Sequence, residues 1–232
     1  MTKLTKKRKE ISSNIDLNKV YKLDEAVDII KLSSKAKFVE TIEVAINLSI
    51  KMSKSDQSIK GVINLPNSLG KKIKVAVITK DEKAKSAKEA GADIVGGTDL
   101  IKSIENGSID FDRLIATPDM MPQVGKLGQV LGPKGLMPNP KLGTVTNDIA
   151  KAVDNLKKGQ IHFKNDKSGI IQAGIGKANF EKNKLIENIK VFFEAVVKSK
   201  PEGIKGSFVK KVSIASTMGL GIKVNVAELQ KS

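Results

Sequence analysis

The chain has 232 residues, enough for one large domain or two small ones that each bury a core. Hydrophobic residues make up 40% of it and charged residues 28%. No apolar run approaches the roughly 18 residues of a membrane span, so a soluble globular protein without membrane partners is expected.

There is no cysteine and only one histidine, His162, which excludes disulfides, thiolate sites and multi-histidine metal ligation. No metal and no cofactor is expected, and the scattered carboxylates offer no Ser/His/Asp set, so the chain reads as a non-enzyme. Lys+Arg number 41 against Asp+Glu 25, a formal charge of +16. Such an excess favours a polyanionic partner, because each neutralised phosphate releases counterions. With no Trp, one Tyr and seven Phe, the chain lacks aromatics interleaved with basic residues. Readout of RNA would then rest on phosphates, 2′-hydroxyls and shape rather than on base stacking.

In chain order, "MTKLTKKRKE" is basic but no long apolar segment follows, so a secretory leader is not expected. Leu23, Val27 and Ile30 form an apolar stripe with Asp24 as candidate N-cap, predicting a helix. "TIEVAINLSI" (41–50) alternates Ile42, Val44, Ile46, Leu48 and Ile50 with mostly polar residues, a half-buried strand of an antiparallel sheet. The middle changes character. "IKVAVIT", "DIVGG" and "RLIAT" read as buried strands, alternating with the helix-like "DEKAKSAKEAGA", "TDLIKSIENG" and "MMPQVGKLGQVL". That succession predicts a small parallel α/β domain. "TNDIAKAVDNLKKG" closes it as a helix, with Asn147 or Thr146 as cap and Gly159 as stop.

Beyond it, "QIHFK" and "GIIQAG" read as a strand pair around the turn "NDKSG". Phe180 to Lys200 carries Leu185, Ile189, Phe192, Phe193, Val196 and Val197 at helical spacing, ended by Pro201 and Gly203. "KVSIAST" and "GIKVNVAE" form a last strand pair. The fold expected is therefore α/β and α+β. Residues 1–67 and 159–232 build an antiparallel split β-α-β domain, and 68–158 form an inserted, Rossmann-like parallel α/β domain. The two crossings, near "LPNSLGKK" and "KKGQ", would act as a hinge. The insert holds 15 basic and 11 acidic residues, the ends 26 and 14, so the charge excess lies on the ends.

Three stretches bear on function. "LGPKGLMPNPKLGT" (131–144) holds three glycines, three prolines and two lysines, which suggests a phosphate cradle. It lacks the spacing of G-x-x-x-x-G-K-[ST], and its prolines remove N–H donors where a cradle needs them. A rigid loop packed on its own domain is the competing reading. "KNDKSG" (164–169) puts two lysines, an amide and a serine on a hairpin tip, where an ordinary turn and a sugar–phosphate contact are both open. "STMG" (216–219) ends a strand with a hydroxyl, an adaptable Met and a glycine that permits close approach.

"MPQVGKLGQVLGPKGLMPNPKLGTVT" (121–146) closely resembles the signature of the bacterial large-subunit ribosomal protein L1 family. "AKFVETIEVAINL", "SDQSIKGVINLP", "NDKSGIIQAGIGKANF" and "STMG" follow in the family's order, so the resemblance covers essentially the whole chain. It implies a two-domain fold and binding to large-subunit rRNA, in the mobile stalk beside the exit site for deacylated tRNA. It also implies repression of the protein's own operon through an rRNA-like mRNA site, a cytoplasmic ribosomal location, and a monomer within the ribosome. Carried onto matching positions, the RNA contacts fall on Lys37, Phe38 and Thr41, on Lys164, Asp166, Lys167 and Ser168, and on Thr217, Met218 and Gly219. Lys164 stands where members often have arginine, which weakens a bidentate phosphate contact. In this reading Asp166 accepts from a 2′-OH or orients Lys167, and the three segments converge from the two ends of the chain.

Overall fold

The computed structural model describes residues 15–16, 18–50, 59–68, 73–201, 204 and 206–230, without the side chains of 81–83 and 141. The basic decapeptide at the start, residues 55–58 of "SDQSIKGVINLP", the Leu69–Lys72 part of the first crossing, and Gly203 lie outside the described residues. The elements run β1 (Val20–Tyr21), α1 (Leu23–Ser33), β2 (Thr41–Leu48), β3 (Lys60–Asn64), β4 (Val75–Ile78), α2 (Asp81–Glu89), β5 (Ile94–Gly96) and α3 (Thr98–Glu105). They continue with β6 (Arg113–Ala116), α4 (Met121–Lys126), α5 (Gly128–Leu131), α6 (Ile149–Lys157), β7 (Gln160–Lys164), β8 (Ile170–Lys177), α7 (Lys182–Lys198), β9 (Val209–Ser216), β10 (Ile222–Val224) and α8 (Val226–Gln230). The chain is a mixed α/β protein. Its described residues within 1–70 and 161–232 form one compact unit, and those within 71–160 another.

In the first unit, period-2 alternation decides which face of β2 is covered. Ile42, Val44, Ile46 and Leu48 are at most 1% exposed, while Glu43 on the other face is open to solvent. The five-stranded sheet has the order β1-β10-β9-β2-β8, antiparallel except for the short β1–β10 pair. Helices α1 and α7 bury Val27, Ile30, Leu185, Ile189, Phe192 and Val196 in the same apolar cluster as the β2 residues. Each such side chain contributes about 1.5–3 kcal/mol by leaving water. Phe192 meets Phe163 edge-on, ring centres 5.7 Å apart. Strands β3 and β7 form a separate two-stranded sheet.

Three expectations change here, and one polar residue stands on a face read as apolar. Asp24 is not the cap of α1: the helix starts at Leu23, with Lys22 at the cap position and Asp24 in the first turn. The Leu23 N–H instead donates to the Glu228 carboxylate of α8, 3.4 Å away, a partner supplied from the other end of the chain. "QIHFK" and "GIIQAG" do not form a ladder with each other. β7 pairs with β3 and β8 with β2, and an Asn165–Ile171 bridge and an Asp166 N–H to Ile170 carbonyl bond close the turn just beyond β7. "GIKVNVAE" is half strand and half helix, since the Asn225 carboxamide accepts from the Ala227 N–H and starts α8. Finally, the apolar face of α7 includes Asn188, fully buried, which donates to the carbonyls of Asn67 and Ile175 and accepts from the Asn67 N–H.

In the second unit the parallel sheet has the order β5-β4-β6. Both faces are covered, which is why its strands read as continuous apolar runs. Ala76, Ile78, Leu114 and Ala116 pack against α3, α4 and α5, and Val75, Val77 and Ile115 against α2 and α6. The helical stretch expected at 120–131 is broken into a 3-10 turn at Pro118–Met120, α4 and α5. Asp148, not Asn147 or Thr146, caps α6: its carboxylate accepts from the Lys151 N–H, and Thr146 Oγ1 accepts from the Asp148 N–H. Gly159, at φ +101°, follows that helix as the left-handed residue that stops it.

Candidate nucleic-acid interface

The first candidate cluster forms where β2 begins and β9 ends. Ile42 pairs with Ser216 and Thr41 with Lys177, so the segments just outside these strands are brought together. The Thr217 N–H donates to the Thr41 carbonyl at 3.0 Å, and the Thr41 N–H to Thr217 Oγ1 at 3.0 Å. Thr217 Oγ1 also donates to the Thr41 carbonyl at 3.3 Å. The Thr217 hydroxyl is thus engaged as donor and acceptor within the protein, and it acts first as a clasp between two strand ends. Lys177 Nζ donates to Thr41 Oγ1 at 2.9 Å.

Beneath this clasp sits Glu40, 1% exposed. One carboxylate oxygen accepts from the Ala36 N–H at 3.0 Å and the other from the Met218 N–H at 3.1 Å. Burial acts to raise its pKa, but the Ser216 hydroxyl, the two N–H donors and the Ser34 hydroxyl outweigh it and hold the carboxyl below the ordinary glutamate value. Ser216 Oγ is buried without a partner of good hydrogen-bond geometry, so its action on Glu40 is that of a nearby dipole. A Cβ at Gly219 would overlap Ser216 Oγ, which gives glycine an internal reason at this position as well as an external one. Around these buried groups stand Phe38, Val39 and Met218, 55%, 52% and 65% exposed, with Lys37 also exposed.

The second cluster is the tip between β7 and β8. Lys164, Asp166, Lys167 and Ser168 are exposed there. Asp166 Oδ1 accepts from the N–H groups of Ser168 and Ile170, both at 2.9 Å, and Gly169 takes φ +75°. This carboxylate oxygen is committed to an Asx turn. This internal role was not foreseen from sequence.

The two clusters do not converge. In the antiparallel β2–β8 register Thr41 pairs with Lys177 and Asn47 with Ile170, and the Leu48 N–H donates to the Gly169 carbonyl. The tip therefore lies at the far end of β2 from Thr41, seven steps of about 3.3 Å or about 23 Å away. Grouping "KFVET", "NDKS" and "TMG" into one patch is corrected to two patches joined by the length of β2. Sequence reasoning also missed Glu40 and Lys177. An acid between two exposed apolar residues and a strand was the available signal for Glu40; pairing with Thr41 marks Lys177 only once register is known.

The glycine-rich stretch 131–144 is tied down within the second unit. Leu131 and Pro138 are buried, and Leu136 and Met137 pack on the cluster beneath. Thr144 Oγ1 bonds both the N–H and the carbonyl of Asn139, closing a ring over Gly143 at φ +68°. Lys134 is exposed. A separate crevice at the carboxyl ends of β4, β5 and β6 is lined by residues including Thr79, Lys80, Thr98, Asp99, Asp119 and Gln123, none from the glycine-rich stretch. Two carboxylates against one ammonium suit a phosphate poorly. Among the described residues no group of three or more His, Cys, Asp or Glu side chains could hold a metal, and no helix is long and apolar enough to cross a membrane.

Residues 29–220 match the model of one family, a span that takes in the Thr41 cluster, the hairpin tip and the glycine-rich stretch. On that match over most of its length, the chain belongs to the ribosomal protein L1p/L10e family.

Proposed function

We propose that this chain, a ribosomal protein of the large subunit that binds rRNA, grips structured rRNA along β2, with the Thr41–Thr217 cluster at one end and the 164–168 tip at the other. The observation that carries this reading is the clasped cluster itself. Buried polar groups hold the segments that carry Phe38, Val39 and Met218, which stand half or more exposed beside the exposed Lys37 among the described residues. Exposed lysines at the tip add sequence-independent phosphate contacts. The resemblance of 121–146 to the bacterial signature supports the finer assignment. The protein helps form the mobile stalk near the tRNA exit site, assists release of deacylated tRNA, and represses its own operon by binding an rRNA-like site in the mRNA. It works as a monomer within the ribosome and catalyses no reaction.

Titration of the full chain with a structured rRNA fragment and with duplex DNA at several salt concentrations tests the reading. The rRNA is expected to bind more tightly at every salt. Thr217→Val is expected to weaken binding more than Lys134→Ala; the opposite order moves the interface to the glycine-rich stretch. Nucleotide hydrolysis abolished by Lys134→Ala would favour an enzyme instead.

A further inference from the structure

We propose that Glu40 is a positioning residue of the RNA interface: its carboxylate holds the Ala36–Thr41 segment and the Thr217–Gly219 turn at one fixed spacing. Phe38, Val39 and Met218 then meet RNA as a preformed surface. This inference rests on the RNA-binding reading above.

The geometry favours this role over a purely stabilising one. Glu40 is buried, and among the described residues it has no ion-pair partner. A buried carboxylate without a counterion is retained only where hydrogen bonds compensate for its lost hydration, and an apolar side chain would serve stability alone as well or better. Its two oxygens serve different segments, one the Ala36 N–H and the other the Met218 N–H. The backbone ties Thr41 to Thr217, Glu40 to Ala178 and Gly219 to Ser216, but the strand ladders stop there, since β2 starts at Thr41 and β9 ends at Ser216; the Glu40 carboxylate extends the link outward to Ala36 and Met218. Both carry large apolar side chains that are half or more exposed, Phe38 and Val39 on one and Met218 on the other. Segments beyond a ladder's end lose conformational freedom on binding, and a link formed beforehand reduces that loss. The Ser216 hydroxyl stands near the same carboxylate, and a Cβ at 219 would force it out of its present rotamer.

The test uses the full chain, a structured rRNA fragment, and amide hydrogen exchange. In the free wild-type chain, the Ala36 and Met218 amides are expected to be as protected as in the complex. If they exchange freely until RNA is added, the spacing is not preformed and the proposal fails; this holds even if no variant folds. Glu40→Gln keeps the shape but turns an NH₂ toward one of the two donors. It is expected to lose protection at one or both of these amides while the β2 amides stay protected, and to bind the rRNA at least tenfold more weakly. Its salt dependence should match wild type, because no phosphate contact is removed. A folded Glu40→Gln protein with wild-type affinity overturns the inference. Failure of the wild-type chain to prefer the rRNA over duplex DNA would instead overturn the RNA-binding reading.

Discussion

A carboxylate as buried as that of Glu40 stays ionised because two backbone N–H groups bond it and the Ser216 and Ser34 hydroxyls stand nearby, and this gives its stability contribution a pH signature. Its pKa in the folded chain lies below the ordinary value of 4.5. The folded state therefore takes up this proton less readily than the unfolded state, and the stabilisation is fully present above that value. It is lost as the pH falls from 4.5 through the lowered folded value. Melting temperatures measured across acidic pH should show this loss in the wild-type chain and a smaller one in Glu40→Gln. At neutral pH the same substitution should lower stability by about 1–3 kcal/mol, the range for leaving one buried donor unsatisfied; urea unfolding measures it. Thr217 differs in degree. Its clasp with Thr41 is at the surface, so Thr217→Val should lower stability by no more than about 0.5–1.5 kcal/mol. A larger loss in rRNA affinity than in stability separates the interface role from the structural one. The sequence marks Phe38 and Met218 as apolar residues beside polar ones, but it gives no sign that Thr217 is already engaged internally.

At the level of elements, turns and caps were the least legible features and strands the most. "TIEVAINLSI" carries its burial in its alternation, and β2 follows it to Leu48. The cap of α1 was misread because its partner, Glu228, lies 205 residues away and no local pattern reports it. The 164–169 turn was recognised as a turn, yet the use of Asp166 within it was not. Asp166→Ala should loosen the tip, lowering stability by about 1 kcal/mol, while Asp166→Asn keeps an acceptor oxygen and should leave stability nearly unchanged. Lys167→Ala, on the same tip, should lower the slope of log affinity against log salt by about one without destabilising the fold. Asn188 is the polar exception on the apolar face of α7, and it links that helix to β8 and residue 67. Asn188→Leu removes those bonds and leaves the Ile175 carbonyl unpaired; an expected loss of about 2–3 kcal/mol is readable by urea unfolding.

Across the whole chain, the excess of basic over acidic residues belongs to the end segments rather than to 68–158. Most of the salt dependence of rRNA binding is therefore expected to come from lysines of the first unit. Neutralising Lys134 in the second should leave the slope unchanged in the same titrations, and a shift of one or more would move phosphate contacts into that unit. By itself the sequence determined the classes of element, through period 2 in the antiparallel strands and continuous apolar runs in the parallel ones, because burial on one face or two writes itself into local residue order. It also determined the family, through a long signature that the structure folds into two short helices and a loop packed on its own unit. Only the tertiary structure decided how the candidate residues are distributed. Register pairs Thr41 with Lys177 and places the Asp166 tip a strand's length away, and it joins Glu40 to Met218 across 178 positions of sequence. Pairing of distant strands is set by the fit of whole sheet faces, a collective property that no single segment carries.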